Sequence, residues 1–476
     1  MPALVAGAVA SHAAVLAIRG ASLLSQWRDV ITEGAEGPHV YALWRLLHGQ
    51  PLYEAADAPP FSLTFYNWLF YRSYAAVLGW VGVDGEGLLL GGRLVTVGWT
   101  VVGAWAWTGW VRALGGWGRG THRGMLAGLA FLTWFGSNFA SWWTLSIRPD
   151  LPAMALVACG LWAATEATKR DDAGRMALAS LAFAAAWCFK QSVGASGAGV
   201  GLYLLATRRW RLSAALALPM AAVVGTSLGL GSEAYRYNLL VAPRLSRLDL
   251  AQAVDILVRT VPQNALAWGV GAWGAWSGAR GEQGGRAAGR AVAAGAAVAL
   301  LLGLLGIARA GGNRNHLFEA YLLLSGAAAV EVLRAEGRAR AVFAGAVGLV
   351  AAFALVQLAV PNRFGTLTLD GRWRAPLRAW LAERTARGGT LLVLDDVLAQ
   401  PWSSSGGRHP AYVLDPVWLE VSGTGVRRTV AQVLAQPGVT GWVATESQLQ
   451  ALRGGAAGCA PLPPAAGAPG WFECPR

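Results

Sequence analysis

Five short groups of polar residues interrupt an otherwise apolar chain, and each holds side chains able to move protons or hold an anion. In chain order they are Asp29, Glu33, Glu36 and His39; Arg148 and Asp150; Lys190 and Gln191; Tyr237 and Asn238; and Asn313, Arg314, Asn315, His316 and Glu319. Carboxylates and histidines of this kind can exchange protons, and cations of this kind can hold an anion. Singly, each residue has an ordinary structural reading. Arg148 and Lys190 can snorkel, and Glu36 and Asp150 can cap the helices that follow them. The set carries more weight than any member, because ionisable groups at a membrane boundary are costly unless paired or solvated. One of only two lysines in the chain stands among them.

The elements that must position these groups are membrane helices. Of 476 residues, 55% are hydrophobic and 14% charged, against roughly 25% charged in an ordinary soluble domain. Apolar stretches close to the roughly 20 residues needed to cross a bilayer recur as far as Pro361, separated by short Arg-bearing loops. The expected fold is an all-α polytopic membrane protein of about 11 transmembrane helices, within a range of about 10 to 13. Residues 1–360 form the transmembrane part and residues 361–476 a small soluble α/β appendage. In the tail, Thr390 to Leu394 reads as a strand, and Cys459 and Cys474 can pair if the tail lies outside the cytoplasm. The net charge of +13, from 39 basic and 26 acidic residues, is parcelled into loops. That is the membrane-orientation pattern and argues against a nucleic-acid partner. Met1 to Leu24 lacks a basic leading region and carries His12 and Arg19, so it reads as the first membrane anchor rather than a cleaved signal peptide.

Five tight loops hold most of the positive charge: Arg112 to Arg123, Lys169 to Arg175, Arg208 to Arg211, Arg280 to Arg290 and Arg334 to Arg340. The positive-inside bias puts them in the cytoplasm. Apolar segments near 88–111, 123–143, 151–166, 176–190, 192–207, 211–231, 263–279, 291–308, 315–333 and 341–360 then alternate across the bilayer. The N-terminus falls inside and the tail outside. Parity leaves the aromatic segment 61–83 without a crossing, so it is expected to lie in the interface or re-enter. Arg72 among its Phe, Tyr and Trp rings suits the headgroup layer. The alternative is a true span with the N-terminus outside. A hairpin at 176–207 places Lys190 and Gln191 at the outer boundary, together with the other polar groups.

The first outer loop, Trp27 to Pro60, is too long for a mere connection and reads as carrying interfacial helices. Val40 to Leu47 is a short amphipathic helix, followed by a turn at His48-Gly49-Gln50-Pro51. Here Glu36-Gly37, then Tyr41-Ala-Leu-Trp-Arg-Leu-Leu-His-Gly49-Gln-Pro-Leu-Tyr53, resembles the first outer loop of the GT-C glycosyltransferases. That superfamily includes protein O-mannosyltransferases and lipid A aminoarabinose transferases. Arg148-Pro-Asp150-Leu-Pro-Ala resembles their second acidic position, Phe189-Lys190-Gln191-Ser192 a recurrent lysine–glutamine step, and Gly311-Gly-Asn-Arg-Asn315-His-Leu-Phe-Glu319 their late polar motif. Many members carry an Asp-Glu pair at the start of the first outer loop, whereas Ala35 precedes Glu36 here.

The resemblance implies an enzyme of the bacterial inner membrane that takes a sugar from a polyprenyl-phosphate donor. It would pass the sugar to a lipid, glycan or protein acceptor at the periplasmic surface. In that reading Glu36 is the base, with Glu33 or Asp29 as substitutes, and Asp150 orients the acceptor, assists the base or ligates a metal. Lys190, Arg314 and Arg148 hold the donor phosphate and His316 hydrogen-bonds it, with Gln191, Asn313, Asn315 and Glu319 as further candidates. Glu36, Asp150 and His316 are ligand types that suit a divalent metal ion, although no spacing among them is diagnostic. A polytopic transporter and a non-catalytic polysaccharide-assembly protein are the rival classes. Transporters tend to place charges and broken helices near the bilayer midplane, often with an internal repeat. No repeat is visible, and the polar motifs lie at helix ends.

Overall fold

The computed structural model describes all residues except 28–35, 54–63, 119, 121, 137–139, 245–247, 281–285, 310–311, 361–373, 388–389, 394–438, 447–448, 451–457, 467–469 and 476. Asp29 and Glu33 fall outside the described residues. Helix α1, Pro2–Ser25, starts with proline in its first turn, where no amide donor is needed. The amphipathic α2, Gly37–Leu47, follows as expected, and its turn closes on Gly49, whose φ of 70° suits glycine. The aromatic segment forms α3, Trp68–Trp80, with the Asn67 side chain accepting from the Trp68 amide at its start.

The long α4, Gly87–Gly115, precedes α5, Arg123–Phe131. The expected span near 123–143 is not one uniform helix. After α5 the chain widens into a π-turn, Leu132–Gly136, and later tightens into a 3₁₀ turn, Ser141–Leu145. Thr133 Oγ1 donates to the carbonyl of Leu129 here, and such back-bonding bends helices. Helices α6, Asp150–Arg170, and α7, Ala173–Phe189, form a hairpin whose turn is fixed by Asp172 accepting from the Arg175 amide. Helix α8, Ala195–Ala206, starts after a break at Lys190, so the expected 176–207 hairpin is present.

Helix α9, Trp210–Leu230, contains Pro219, which has no amide proton for the helical ladder. Across the interface Ser180 Oγ donates to the Leu216 carbonyl and accepts from the Met220 amide at 3.0 Å, restoring both partners. A one-turn α10, Glu233–Arg236, leads to α11, Leu250–Gln263, which hydropathy does not reveal. The exposed Leu250, Val254, Val258 and Val261 form one stripe on it, the pattern of a helix lying in the interface. The expected 263–279 span likewise divides, into a π-turn Leu266–Val270 and α12, Gly271–Arg280. Helices α13, Arg286–Ile307, α14, Phe318–Arg334, and α15, Gly337–Ala359, complete the bundle.

Among the described residues seven helical segments are long and apolar enough to cross a membrane, and α7 and α8 are shorter apolar helices. The chain is a polytopic membrane protein. Trp105, Leu218, Leu301 and Val342 point outward, as they do where lipid is the solvent. α14 lies at the centre and is almost wholly buried. Small residues bring its neighbours close: a Cβ added to Gly199 of α8 would meet the Gly295 Cα of α13 at 2.3 Å. The basic loops gather at one end. Lys169 donates to the Ala113 carbonyl, Arg334 to that of Gly115 at 3.1 Å and Arg209 to that of Thr168 at 2.6 Å. Asp150 stands at the opposite end of α6.

The C-terminal part is a small α/β unit. Helix α16, Arg374–Ala386, precedes strands β1, Thr390–Val393, β2, Val439–Thr445, β3, Ala460–Pro461, and β4, Trp471–Pro475. The sheet order is β1-β2-β4-β3, with β1 and β2 parallel and the remaining pairs antiparallel. Leu377 and Leu381 pack on Val443, Ala466 and Trp471, and Cys459 and Cys474 form a disulfide.

Candidate functional site

At the N-terminal end of α6 the chain gathers charge in a buried cluster. Asp150, 1% exposed, receives the Lys190 Nζ at 2.6 Å and the Asn315 Nδ2 at 2.9 Å on Oδ1, and the Arg148 Nε at 2.9 Å on Oδ2. Three separate breaks in helical structure supply these groups. Arg148 lies in the extended segment before α6, Lys190 in the turn between α7 and α8, and Asn315 in the 3₁₀ turn Arg314–Leu317 that opens α14. Lys190 also donates to the Asn315 carbonyl at 3.4 Å, joining the two turns. One carboxylate against two cations leaves the cluster with net positive charge. Asp150 is more than a helix cap, because side chains from three elements converge on it.

Contacts around the cluster fix this geometry. Arg148 NH2 donates to the Tyr66 hydroxyl at 3.4 Å, and burial pushes that phenol up to about 12, so it stays protonated at neutral pH. His39 lies 5.0 Å from the Tyr66 ring and accepts from or donates to the Tyr71 hydroxyl at 3.1 Å. Burial, reinforced by the nearby Arg148 charge, pushes His39 down to about 3 and keeps it neutral. Gln191 donates to the Phe65 carbonyl at 2.6 Å, tying the α7–α8 turn to the segment before α3. Glu319 accepts from the Gly194 amide at 3.1 Å and from the Ser196 amide, so it caps α8 from the first turn of α14. Asn313 caps the 3₁₀ turn by accepting from the Arg314 amide at 2.7 Å. The His316 ring covers Gly306 of α13, close enough for the charges of Lys190 and Asp150 to act on it. Arg314 stacks 4.7 Å from the Trp143 ring centre, with Arg148 5.1 Å from the same ring. Asn238 accepts from the Thr64 amide at 2.9 Å and has a packing role.

Glu36 is placed differently from the expectation of a free base. It is fully buried and forms a bidentate pair with Arg93 of α4, at 3.0 Å and 2.9 Å, while the Ile147 amide donates to its Oε1 at 3.0 Å. Arg93 also donates to the Trp27 carbonyl at 3.0 Å. The pair therefore ties the end of α1, the start of α2 and the segment leading to Asp150 onto α4. Among the described residues no group of three or more His, Cys, Asp or Glu side chains is gathered for a metal ion. The trio Glu36, Asp150 and His316 does not fit one as placed, since cations already occupy both carboxylates.

No protein-family model matches the sequence, and no curated protein matches it. The architecture does find relatives. The crystal structure of ArnT from Cupriavidus metallidurans bound to undecaprenyl phosphate superposes with a TM-score of 0.60 at 14% identity, over 93% of this chain and 94% of that one. This chain has the GT-C fold. The oligosaccharyltransferase of Archaeoglobus fulgidus shares it with a TM-score of 0.55 at 13% identity, over 93% of this chain and 71% of that one. A third solved structure, archaeal AglB from the same organism with an inhibitory peptide and a dolichol-phosphate, gives 0.53 at 13% identity over 93% of this chain and 70% of that one.

Within this GT-C fold three residues of the site escape sequence reasoning. Arg93 lies inside a long apolar run, and Tyr66 and Asn67 precede α3 where aromatic residues are common. Asn67 donates to the Trp187 carbonyl at 3.1 Å and accepts from the Tyr235 hydroxyl at 2.8 Å. An arginine inside a membrane helix is itself a signal, since such a charge persists only with a partner. Its partner, 57 residues away in sequence, is set by tertiary packing.

Proposed function

We propose that the protein is a membrane glycosyltransferase that moves a sugar from a polyprenyl-phosphate donor to an acceptor hydroxyl on the face opposite its basic loops. The observation that carries this reading is the cluster of Asp150, Lys190, Arg148 and Asn315 at the helix ends. A hydroxyl must lose its proton while a phosphate is expelled, and the cluster puts an ionised carboxylate beside two cations. The acceptor oxygen attacks the anomeric carbon and the bond from that carbon to the phosphate oxygen breaks. The proton passes to Asp150, and the leaving phosphate keeps the electron pair beside Lys190 and Arg148, with Arg314 close by. Lys190 uses two of its three donors within the cluster, which leaves one for phosphate. Both carboxylates are occupied. Asp150 is assigned the base role in place of Glu36 because its partners Lys190 and Arg148 are the cations that a leaving phosphate would draw toward itself, whereas Glu36 is tied to Arg93 and the Ile147 amide. Glu36 becomes a positioning residue.

Two further features support a lipid-linked donor. A groove of about 650 Å3 between α3, α9 and α10 is lined by Tyr53, Trp68, Arg72, Val223, Ser227 and Tyr235. It combines an apolar wall with one cation, as an isoprenoid phosphate requires. Tyr53 donates to the Tyr66 carbonyl at 2.8 Å, which links the groove to Arg148. ArnT, which shares the fold, was solved with undecaprenyl phosphate bound. On the positive-inside reading of the basic loops, the acceptor face is periplasmic and the membrane is the bacterial inner membrane. The test is sugar turnover from a polyprenyl-phosphate donor in membranes carrying Asp150→Asn or Lys190→Met. Both should fall sharply at normal expression, and full activity in both would remove the assignment.

A further inference from the structure

Beside the Asp150 cluster lie two guanidinium groups that no acid among the described residues holds. Arg19, 2% exposed, stands near the outer end of α1 with its carbon centre 5.6 Å from the ring centre of Trp142. Arg314 stacks in the same way on the adjacent Trp143. Among the described residues neither side chain has a hydrogen bond or ion pair, and the Nε of each is buried without a partner. Their charges act on each other, with the repulsion expected of two cations. The Nε1 of Trp143 and the Oγ of Ser146 are also buried and unpartnered. Two other arginines of this end are held by acids, Arg93 by Glu36 and Arg148 by Asp150.

Buried donors left unpaired are costly, and charged ones more so. Two on neighbouring like charges, with the unpartnered Trp143 indole N–H beside Arg314, call for an occupant that accepts several hydrogen bonds and carries negative charge. The indoles keep the two side chains in position without neutralising them, and Leu23, one turn beyond Arg19, packs on Trp142 to fix α1 against this floor. Gln357 of α15 is buried with its Oε1 unpartnered, but a neutral amide supplies one acceptor and no charge. Arg314 is followed directly by Asn315, which donates to Asp150, and Arg148 shares the Trp143 ring with Arg314. The two guanidinium groups thus border the proposed reaction site.

We propose that Arg19 and Arg314 form a two-guanidinium seat, floored by Trp142 and Trp143, for a phosphate group. The guanidinium fork matches phosphate oxygens in pairs. Arg19 is thereby a binding residue contributed by the first transmembrane helix. The inference deepens the glycosyl-transfer reading, and the phosphate belongs either to the polyprenyl donor or to an acceptor that bears one.

The test uses the full-length purified protein, wild type and the variants Arg19→Met, Arg19→Lys and Arg314→Met. Undecaprenyl phosphate, undecaprenol and inorganic phosphate are titrated separately, and binding and thermal midpoint are both read. The expected result is that undecaprenyl phosphate binds wild type and undecaprenol does not. Its Kd should rise at least tenfold in Arg19→Met and Arg314→Met, with partial recovery in Arg19→Lys. Without ligand, Arg19→Met should melt no lower than wild type, because it removes an unpaired buried charge. A lowered ligand-free midpoint with unchanged Kd overturns the proposal, since Arg19 is then a structural partner of the first outer loop or of Gln357. If wild type binds inorganic phosphate through Arg19 but not undecaprenyl phosphate, the seat stands and the lipid-donor reading fails. Binding of neither phosphate overturns the seat.

Discussion

Replacing Glu36 distinguishes a base from a clamp. In the clamp reading Glu36→Gln leaves Arg93 buried without its counter-charge, at 2% side-chain exposure. Removing one member of a buried pair costs about 3–5 kcal/mol, whereas replacing both members with apolar residues of similar volume is often neutral. With about 2 °C of midpoint lost per kcal/mol in a large domain, Glu36→Gln and Arg93→Met should each melt on the order of 6–10 °C lower. The double variant Glu36→Met/Arg93→Met should recover most of that loss. The assay pairs thermal unfolding in detergent with donor turnover at a temperature where each variant is folded. In the clamp reading the double variant turns over sugar better than either single one. If Glu36→Gln melts like wild type yet is inactive, and the double variant is equally inactive, Glu36 is the base and the clamp argument is refuted.

Four further outcomes follow. Asp150→Asn should lower turnover by about 10²- to 10⁴-fold, the range for losing a general base, with the donor still bound, as checked by steady-state kinetics and a donor-binding titration. Glu319→Ala removes the acceptor for the Gly194 and Ser196 amides and should cost about 0.5–2 kcal/mol, read as a lowered midpoint with turnover reduced less than in Asp150→Asn. Gly199→Ala forces a Cβ onto the Gly295 backbone and should cost about 1–3 kcal/mol, since backbone cannot rotate aside as a side chain can. Replacing Cys459 and Cys474 with serine opens a crosslink between positions 15 apart. It should weaken the C-terminal unit by about 3 kcal/mol, seen as faster proteolysis of the tail.

Much of the site is legible because its parts lie where apolar runs stop. Lys190 ends one run, Asp150 begins another and Asn315 precedes a third, so hydropathy alone puts them at one end of the bundle. What hydropathy cannot supply is pairing. Nothing near Glu36 in sequence announces Arg93, and that pairing is what bears on the positioning role proposed for it. Glu319 reads as a candidate for chemistry because it is acidic, yet its oxygens serve the amides of α8. Irregular helix is equally hidden: the π-turns at Leu132–Gly136 and Leu266–Val270 lie inside sequences as apolar as any span. α11 escapes notice because its apolar stripe is periodic rather than continuous.

The burial of the helices divides the molecule by its relation to the bilayer. α14 is almost wholly enclosed and α6 mostly so, whereas α9 and α15 turn most of their surface outward. Hydrophobic mismatch is met by tilting or kinking of the helices that touch lipid. A thicker or thinner bilayer therefore bears first on the rim, while the turns that carry Asp150 and Asn315 are anchored on enclosed helices. α1 belongs to the rim by the same measure, and it carries Arg19. A change in membrane thickness is therefore expected to reach the charged end of the protein first through α1, before it reaches the Asp150 cluster.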